Sequence, residues 1–504
     1  MNQIQLSSLE YHRQTEYRRN SMTGHSLNWA SQPDVYKGYD GISSIPLCQG
    51  KPLENQDLWQ MLDRKSPMLP PDITFETLSD ILHLTNTLTA KVRYPGQDFY
   101  YRSAASAGAL YPNEIYLAHD GILDLNPGLY HYGIKKRVLY PLRRQKVIQP
   151  ILDAMGFQEK THVVSSLLIT GIFFRSSWKY RARAYRYVLL DAGHLLENLI
   201  LSLQYLSIPF SVHYRYPDRE MNQILGVNGK QEACIAVVHI HDDSKPDQER
   251  KREELLPLPE TILQSSKVSG QEVVYPEILG IHEAGMEDSG SAGAGMPLKH
   301  DLGVTVQHWQ EIERNGNRTN GVLYPDLLYR RRSKRNFISH PMRLDDFHGL
   351  LDLVCSSYTS VEKKKDYAAG LQIGFLAGNV DGVAPGFYLL NPYDRKIGLV
   401  RTGRMTGFMT NACLNQDWLA NASVHFLFLA NLRFLDRHWG ARGYRHAMIT
   451  AGRIGQMIYL GATALNMGAC GIGAFYDDEA RVILDLNEES SLLYLVAAGV
   501  VKRI

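Results

Sequence analysis

Cysteine is scarce in this chain of 504 residues. Cys48, Cys234, Cys355, Cys413 and Cys470 are odd in number, far apart and form no CxxC pair. That usage fits a reduced, cytoplasmic protein and argues against a disulfide scaffold or a zinc ribbon. None of the 18 histidines belongs to an HExxH or a paired Cys/His cluster, so no metal site is expected. An uninterrupted apolar run of about 18 residues is also missing, so neither a transmembrane helix nor a membrane partner is expected. The opening MNQIQLSSLEYHRQ lacks the apolar core of a secretory signal. Finally, there is no charge surplus. Lys plus Arg is 54 and Asp plus Glu is 52, a formal charge of +2. A general nucleic-acid binder needs a basic excess to displace counterions, so nucleic acid is not an expected partner, although one local anion site remains open.

What is present is an ordinary folded composition, 44% hydrophobic and 21% charged, and a duplication. Ala182-Arg183-Ala184-Tyr185-Arg186 matches Ala441-Arg442-Gly443-Tyr444-Arg445 at an offset of 259 residues. Ala192-Gly193 matches Ala451-Gly452, and Ile224-Leu225 with Asn228 matches Ile483-Leu484 with Asn487, all at the same 259. Pro127-Gly128-Leu129-Tyr130 matches Pro385-Gly386-Phe387-Tyr388 at 258. One register held this long means two copies of one unit. Each copy reads as α+β. A capped helix (74–88, 344–354) comes first, then strands such as 114–118 and 163–174. A long helix follows, striped by Val188, Ala192, Leu195, Leu196, Leu199, Leu203 and Leu206. Each copy closes on a strand, 234–239 or 492–499. The domains expected are an N-terminal extension (1–60), domain 1 (61–240), a charged, flexible linker (241–310) and domain 2 (311–504). The linker's GSAGAG follows no strand and opens no helix, so it is not a dinucleotide loop.

The copies have diverged in complementary ways. Copy two opens with Arg330-Arg331-Arg332-Ser333-Lys334-Arg335, a solvated basic turn or a phosphate clamp. It also has the turn Gly468-Ala469-Cys470-Gly471-Ile472-Gly473, whose glycines bare backbone N–H groups, and the basic end Lys502-Arg503. Copy one reads Pro209-Phe210-Ser211-Val212-His213-Tyr214 at the turn and only Asp63-Arg64-Lys65-Ser66 near the clamp. It keeps instead Arg102-Ser103-Ala104-Ala105-Ser106-Ala107-Gly108-Ala109-Leu110-Tyr111-Pro112, small enough for a flat ligand to lie against backbone. Copy two has Lys364-Lys365-Asp366 there. Complementary retention is explained by a single site that needs both copies.

The strings SAASAGALYPNEIYL, KYRARAYRYVLLDAGH and GIGAF, in this order, resemble the flavin-dependent nitroreductase superfamily, in particular its SagB-type dehydrogenase branch of azoline oxidases. The resemblance covers about 60–240 and 325–504, and YHRQTEYRR and LNWASQPDVYKGY are similar to that branch's N-terminal stretch. It implies two nitroreductase-like domains as an intrachain pseudo-dimer, with flavin mononucleotide (FMN) as cofactor. Arg331, Ser333 and Arg335 would hold the phosphate with Lys502 or Arg503, and Gly471, Ile472 and Gly473 would lie beside the ring. Ser106, Ala107 and Gly108 would reach in from copy one, with Ala105 where the family often has proline. Lys179-Tyr180 matches a Lys-Tyr pair that deprotonates substrate; read alone, it is equally a surface cation beside a packed tyrosine. The implied activity is oxidation of an azoline-like heterocycle in a peptide or small natural product, with oxygen or another acceptor. Two alternatives stay open: an NAD(P)H-dependent nitro or quinone reductase, and a non-catalytic flavin-binding partner in a biosynthetic complex.

Overall fold

The computed structural model describes residues 5–22, 24–49, 56–62, 71–94, 97–156, 162–242, 254–265, 268–286, 301–313, 321–362 and 370–502. Arg503 lies outside them, as do 63–66, the glycine-rich 290–295 and 364–369. The chain divides into two compact units. One takes Leu27–Gln56 and Asp63–Tyr275, the other Met1–Ser26, Asp57–Leu62 and Pro276–Ile504. They are called here the first-copy and second-copy units.

Strands of the first-copy unit are β1 (Ile45–Pro46), β2 (Leu88–Tyr94), β3 (Gln97–Arg102), β4 (Asn113–His119), β5 (Gly128–Gly133), β6 (Val138–Arg143), β7 (Val163–Ile172), β8 (Phe210–His213) and β9 (Glu232–His241). β2 and β3 form a hairpin, and the rest form an antiparallel sheet in the order β1-β6-β5-β4-β7-β9-β8. The second-copy unit has β10 (His308–Glu311), β11 (Gln372–Ala377), β12 (Gly386–Asn391), β13 (Lys396–Thr402), β14 (Val424–Asn431), β15 (Gly468–Ile472) and β16 (Ser490–Gly499). Their order is β10-β13-β12-β11-β14-β16-β15, the same topology strand for strand. Even the irregularities repeat. Register slips fall at Leu129/Tyr130 and Phe387/Tyr388, and again at Ile169/Thr170 and Phe428/Leu429. A bulge bends a strand at one fixed residue, so bulges shared in register mark one fold used twice.

Against each sheet lies a long helix, Ala184–Tyr205 or Ala441–Ala464. The apolar stripe expected on the first is buried except at Leu206, the half-buried residue that caps the helix, and the polar face is buried too: every helical residue but Gln204 is buried. A helix buried all round must satisfy its polar groups locally. Asn198, for example, donates to Thr85 O. In the second unit Gly461 permits close approach, because a Cβ there would lie 2.7 Å from Leu353 of helix Leu344–Glu362.

Several boundaries differ from the sequence reading; the helix expected over 344–354 runs on to Glu362. The helix capped by Thr74 ends at Thr85, not 88, because the next residues pair with the end of β3: Ser103 N–H donates to Thr87 O and Leu88 faces Arg102. The strand expected over 163–174 stops at Ile172, and helix Phe173–Tyr180 begins. The apolar run gives no local sign of this; the end of the β7–β9 ladder, where Phe173 N–H reaches Gln231 O, decides it.

The N-terminal extension is divided between the units. Helix Ser8–Gln14 packs in the second-copy unit, with Ser8 and Leu9 N–H groups on Asp436 and His12 on Tyr444 and Asp477. Lys37, in contrast, is buried in the first-copy unit against Glu232 at 2.5 Å and Tyr116 at 2.7 Å. The stretch read as a linker carries helices Glu260–Ser265 and Pro276–Ala284, one in each unit. No described helix is long and apolar enough to cross a membrane.

Arg175, fully buried, ties the first-copy unit together. Its guanidinium donates to Glu114 at 2.5 Å, to Tyr111 O at 3.0 Å and to Asp34 O at 2.8 Å. Glu114 also meets His131 at 3.0 Å, and these partners hold its carboxyl well below the usual range despite burial. Removing one partner of such a pair strands a buried charge. Arg175→Met is therefore expected to destabilise this unit by about 3–5 kcal/mol, and Arg175→Met with Glu114→Leu by much less. Chemical denaturation of both variants checks this; equal losses would contradict it.

Candidate functional site

In the second-copy unit the basic run lies between β15 and the chain's last described residues. Arg331 leaves helix Tyr324–Arg330 with its N–H on Leu327 O. Ser333 bridges Ala469, and Lys334 N–H donates to Ala469 O at 2.9 Å. Beyond them Lys502 and Asn336 exchange hydrogen bonds of 3.0 and 2.9 Å. Arg331, Ser333, Arg335 and Lys502 thus lie along the glycine-rich run, which is not the turn expected: Gly468–Ile472 is edge strand β15, because its backbone pairs with β16. Arg331 is buried, whereas Ser333, Arg335 and Lys502 are exposed. The Ile472 side chain joins the hydrophobic core, leaving only its backbone to the site.

Tyr459 joins these parts, and sequence reasoning missed it. Its hydroxyl accepts from Gly471 N–H at 2.6 Å and lies 3.0 Å from Ser333 Oγ, while the Arg331 guanidinium sits 5.4 Å from its ring. Burial pushes its hydroxyl far up, so it stays neutral. The Arg335 guanidinium lies 5.9 Å from the Trp418 ring and counters the burial that raises the Cys470 thiol. Gly471 is required by packing, because a Cβ there would lie 1.8 Å from the Tyr494 hydroxyl. The copy-one counterparts of Tyr459 and Tyr494 are Ile200 and Ile235. Tyrosines gained in one copy at apolar positions were the available signal. In place of the glycine-rich run copy one has Ser211 Oγ, 2.7 Å from His213 Nε2 and 2.8 Å from His241 Nε2.

In the first-copy unit Ser106, Ala107 and Gly108 form a tight turn with Gly108 at φ 63°, and Ala109 and Tyr111 share the left-handed region at 54° and 48°. Two non-glycine residues there are costly unless their surroundings hold them. A Cβ on Gly108 would lie 2.6 Å from the Tyr180 hydroxyl and 3.2 Å from Lys179 Nζ, so the Lys-Tyr pair converges on this loop. Helix Phe173–Tyr180 presents the pair, anchored by Arg175 and by Trp178 Nε1–H on Asn28 O. It ends at Arg181, at φ 51° and ψ −138°, where copy two has Gly440 at φ 57° and ψ −157°. Copy two turns the equivalent His438 and Trp439 to packing: His438 Nδ1 is 2.8 Å from Phe434 O and Trp439 is buried.

Asp191 is the second residue sequence reasoning missed. From the long helix it accepts from Ser106 Oγ at 2.5 Å and from Ala107 N–H at 3.1 Å. Burial raises its carboxyl to about 7, against the lowering effect of these two donors. Its polarity within the apolar YVLLDAGHLL run, opposite Thr450 in copy two, was the signal available. Among the described residues no group of three or more His, Cys, Asp or Glu is arranged to hold a metal ion.

The nitroreductase family model matches residues 69–240 and 328–500, over half of the chain and once in each unit. The chain belongs to the nitroreductase family. It is a nitroreductase-family oxidoreductase that carries the family's fold twice. The nitroreductase-type protein MJ1384 of Methanocaldococcus jannaschii is 31% identical over 176 residues, 34% of this chain and 89% of that protein. The trifolitoxin-processing protein TfxB of Rhizobium leguminosarum bv. trifolii is 25% identical over 214 residues, 41% of this chain and 57% of that protein. The crystal structure of a nitroreductase-type protein from Anabaena variabilis shares the fold over 98% of this chain and 100% of that one, with TM-score 0.75 and 24% identity.

The raised Asp191 carboxyl has a measurable consequence. Titrating near 7 when folded and near the ordinary carboxylate value when unfolded, Asp191 holds its proton in the folded state over that window. Stability then falls as pH rises from about 4 to about 7. Tyr187 and His194, one turn to either side on the helix, and Lys179 and Tyr180 across Gly108 are the neighbouring titratable groups. Asp191→Asn is expected to remove on the order of 3 kcal/mol of the stability difference between pH 5 and pH 8. Denaturant midpoints at both pH values measure it, and an unchanged difference would refute the assignment.

Proposed function

We propose that the chain is an FMN-dependent dehydrogenase of the SagB type, which oxidises an azoline-like heterocycle in a peptide or small natural product. One observation carries the reading: the small-residue loop is kept only in copy one, and the basic run, glycine-rich run and basic end only in copy two. The second-copy unit has the cationic corner, and the first-copy unit has the small-residue loop with its Lys-Tyr pair. Similarity to a trifolitoxin-processing protein supports a peptide or natural-product substrate.

The donor set fits a flavin mononucleotide. Arg331, Arg335 and Lys502 would bring three positive charges to a phosphate of charge close to −2, with the Ser333 hydroxyl as a further donor. Charge-assisted bonds of this kind contribute about 1.5–3 kcal/mol each. The Gly471–Gly473 backbone would flank the ring. When bound, FMN supplies the two-electron acceptor. The chain's own residues orient and deprotonate: Lys179 Nζ takes the proton from substrate, and the Tyr180 hydroxyl orients the reacting group at the Gly108 loop. The acceptor that returns the enzyme to its oxidised state is oxygen or another small molecule, and the site of action is the cytoplasm.

A second reading, NAD(P)H-dependent reduction of nitro or quinone compounds, is favoured by the similarity to MJ1384. Anaerobic mixing separates the two. Bleaching of flavin absorbance near 450 nm by an azoline-containing peptide, and not by NADPH, is expected; rapid bleaching by NADPH alone supports the reductase, and bleaching by neither overturns both.

Two mutational outcomes follow. Purified protein is expected to hold about one FMN, and Arg331→Ala with Arg335→Ala should weaken binding by about a thousandfold or more. Fluorescence titration measures this, and retained affinity would remove the clamp. Lys179→Met should lower kcat by about 10²–10⁴-fold with FMN content unchanged; steady-state kinetics with the azoline peptide checks it.

A further inference from the structure

We propose that Asp191 is a positioning residue, whose buried carboxyl holds the Ser106–Ala107–Gly108 turn under Lys179 and Tyr180 and thereby governs flavin binding and turnover through that loop. The inference rests on the flavin reading above and deepens it.

The geometry is direct. Asp191 Oδ2 accepts from Ser106 Oγ at 2.5 Å, and Oδ1 accepts from Ala107 N–H at 3.1 Å. Ser106 Oγ in turn accepts from Tyr111 N–H at 2.8 Å. Asp191 thus fastens the loop at 106–107 and orients Ser106 Oγ, which in turn fastens it at 111. Between them lie Gly108 and Ala109, with Ala109 and Tyr111 left-handed without being glycine. Such backbone relaxes when its fastenings are removed. The relaxation moves Gly108, whose α-carbon faces the Tyr180 hydroxyl and Lys179 Nζ.

A second, independent observation comes from the duplication. Copy two has lost the small-residue loop, reading Lys364-Lys365-Asp366, and has Thr450 where copy one has Asp191. The acid exists only where the loop exists. Were Asp191 there to support the fold, it would have reason to persist in both copies, since both build the same helix on the same sheet. A carboxyl within a helix buried on nearly every residue is also a liability for stability. Its presence is explained by what it holds.

The test uses the full-length protein with Asp191→Leu and Asp191→Asn. Leucine keeps the volume and removes both acceptors. Asparagine keeps an acceptor for Ala107 N–H and a polar group for Ser106. Amide hydrogen exchange across 104–111 is measured without flavin, FMN affinity by fluorescence, and the melting temperature alongside. For Asp191→Leu, exchange at Ala107 and Tyr111 is expected to quicken by about tenfold or more and FMN affinity to fall by about tenfold, from two lost hydrogen bonds. The melting temperature should not fall, and Asp191→Asn should restore most of both. Lost affinity at an undiminished melting temperature is what a merely structural residue would not produce. Unchanged exchange and affinity in Asp191→Leu would overturn the proposal. So would a lowered melting temperature with faster exchange throughout the unit. If the wild-type chain binds no FMN, the flavin reading falls, and exchange alone decides whether Asp191 holds the loop.

Discussion

A helix buried on every side must find partners for its polar side chains among whatever packs on it, because an unpaired buried polar group costs more than a hydrogen bond returns. Both units are organised around such a helix, Ala184–Tyr205 and Ala441–Ala464. In each, the partners are the segments of the site. Asp191 holds the Ser106–Gly108 turn. Tyr459 joins Gly471 to Ser333. The same central element thus holds a different segment in each copy, by one polar side chain at a position where the other copy has none or a different one.

The two units bury different charged groups. The first-copy unit buries charge: Arg175 with Glu114 and His131, and Lys37 with Glu232 and Tyr116. At the matching positions of copy two stand Phe434, Gln372, Leu389, Ser491 and Gly374. Buried pairs contribute little net stability but punish misplacement, since either partner alone is a stranded charge. Here they fasten backbone that carries the site: Arg175 reaches Tyr111 O at the end of the small-residue loop and Asp34 O in the N-terminal segment. This fastening lies at the end of the strained loop, where rigidity has most effect.

Much was legible from residues alone. The constant offset gave the duplication, and the sheets repeat it down to their bulges. The basic run, glycine-rich run and basic end stood out because they survive in one copy only, and they meet in the folded chain. Other features were hidden for physical reasons. Helix Phe173–Tyr180 continues an apolar run whose periodicity cannot mark where a strand stops. Its start is set by the neighbouring strand's end. The extension and the stretch after β9 read as separate pieces, since composition reports solvation and not which surface a segment covers.

The sequence by itself determined the α+β fold in two copies, the small-residue loop, the Lys-Tyr pair and the cationic corner, since these depend on residue type and on spacing along the chain. Only the tertiary structure decided that Tyr459 joins the clamp to the glycine-rich strand and that Asp191 holds the loop. Each of these contacts joins residues far apart in sequence, and burial makes a single polar side chain on an apolar helix matter only when something is packed against it.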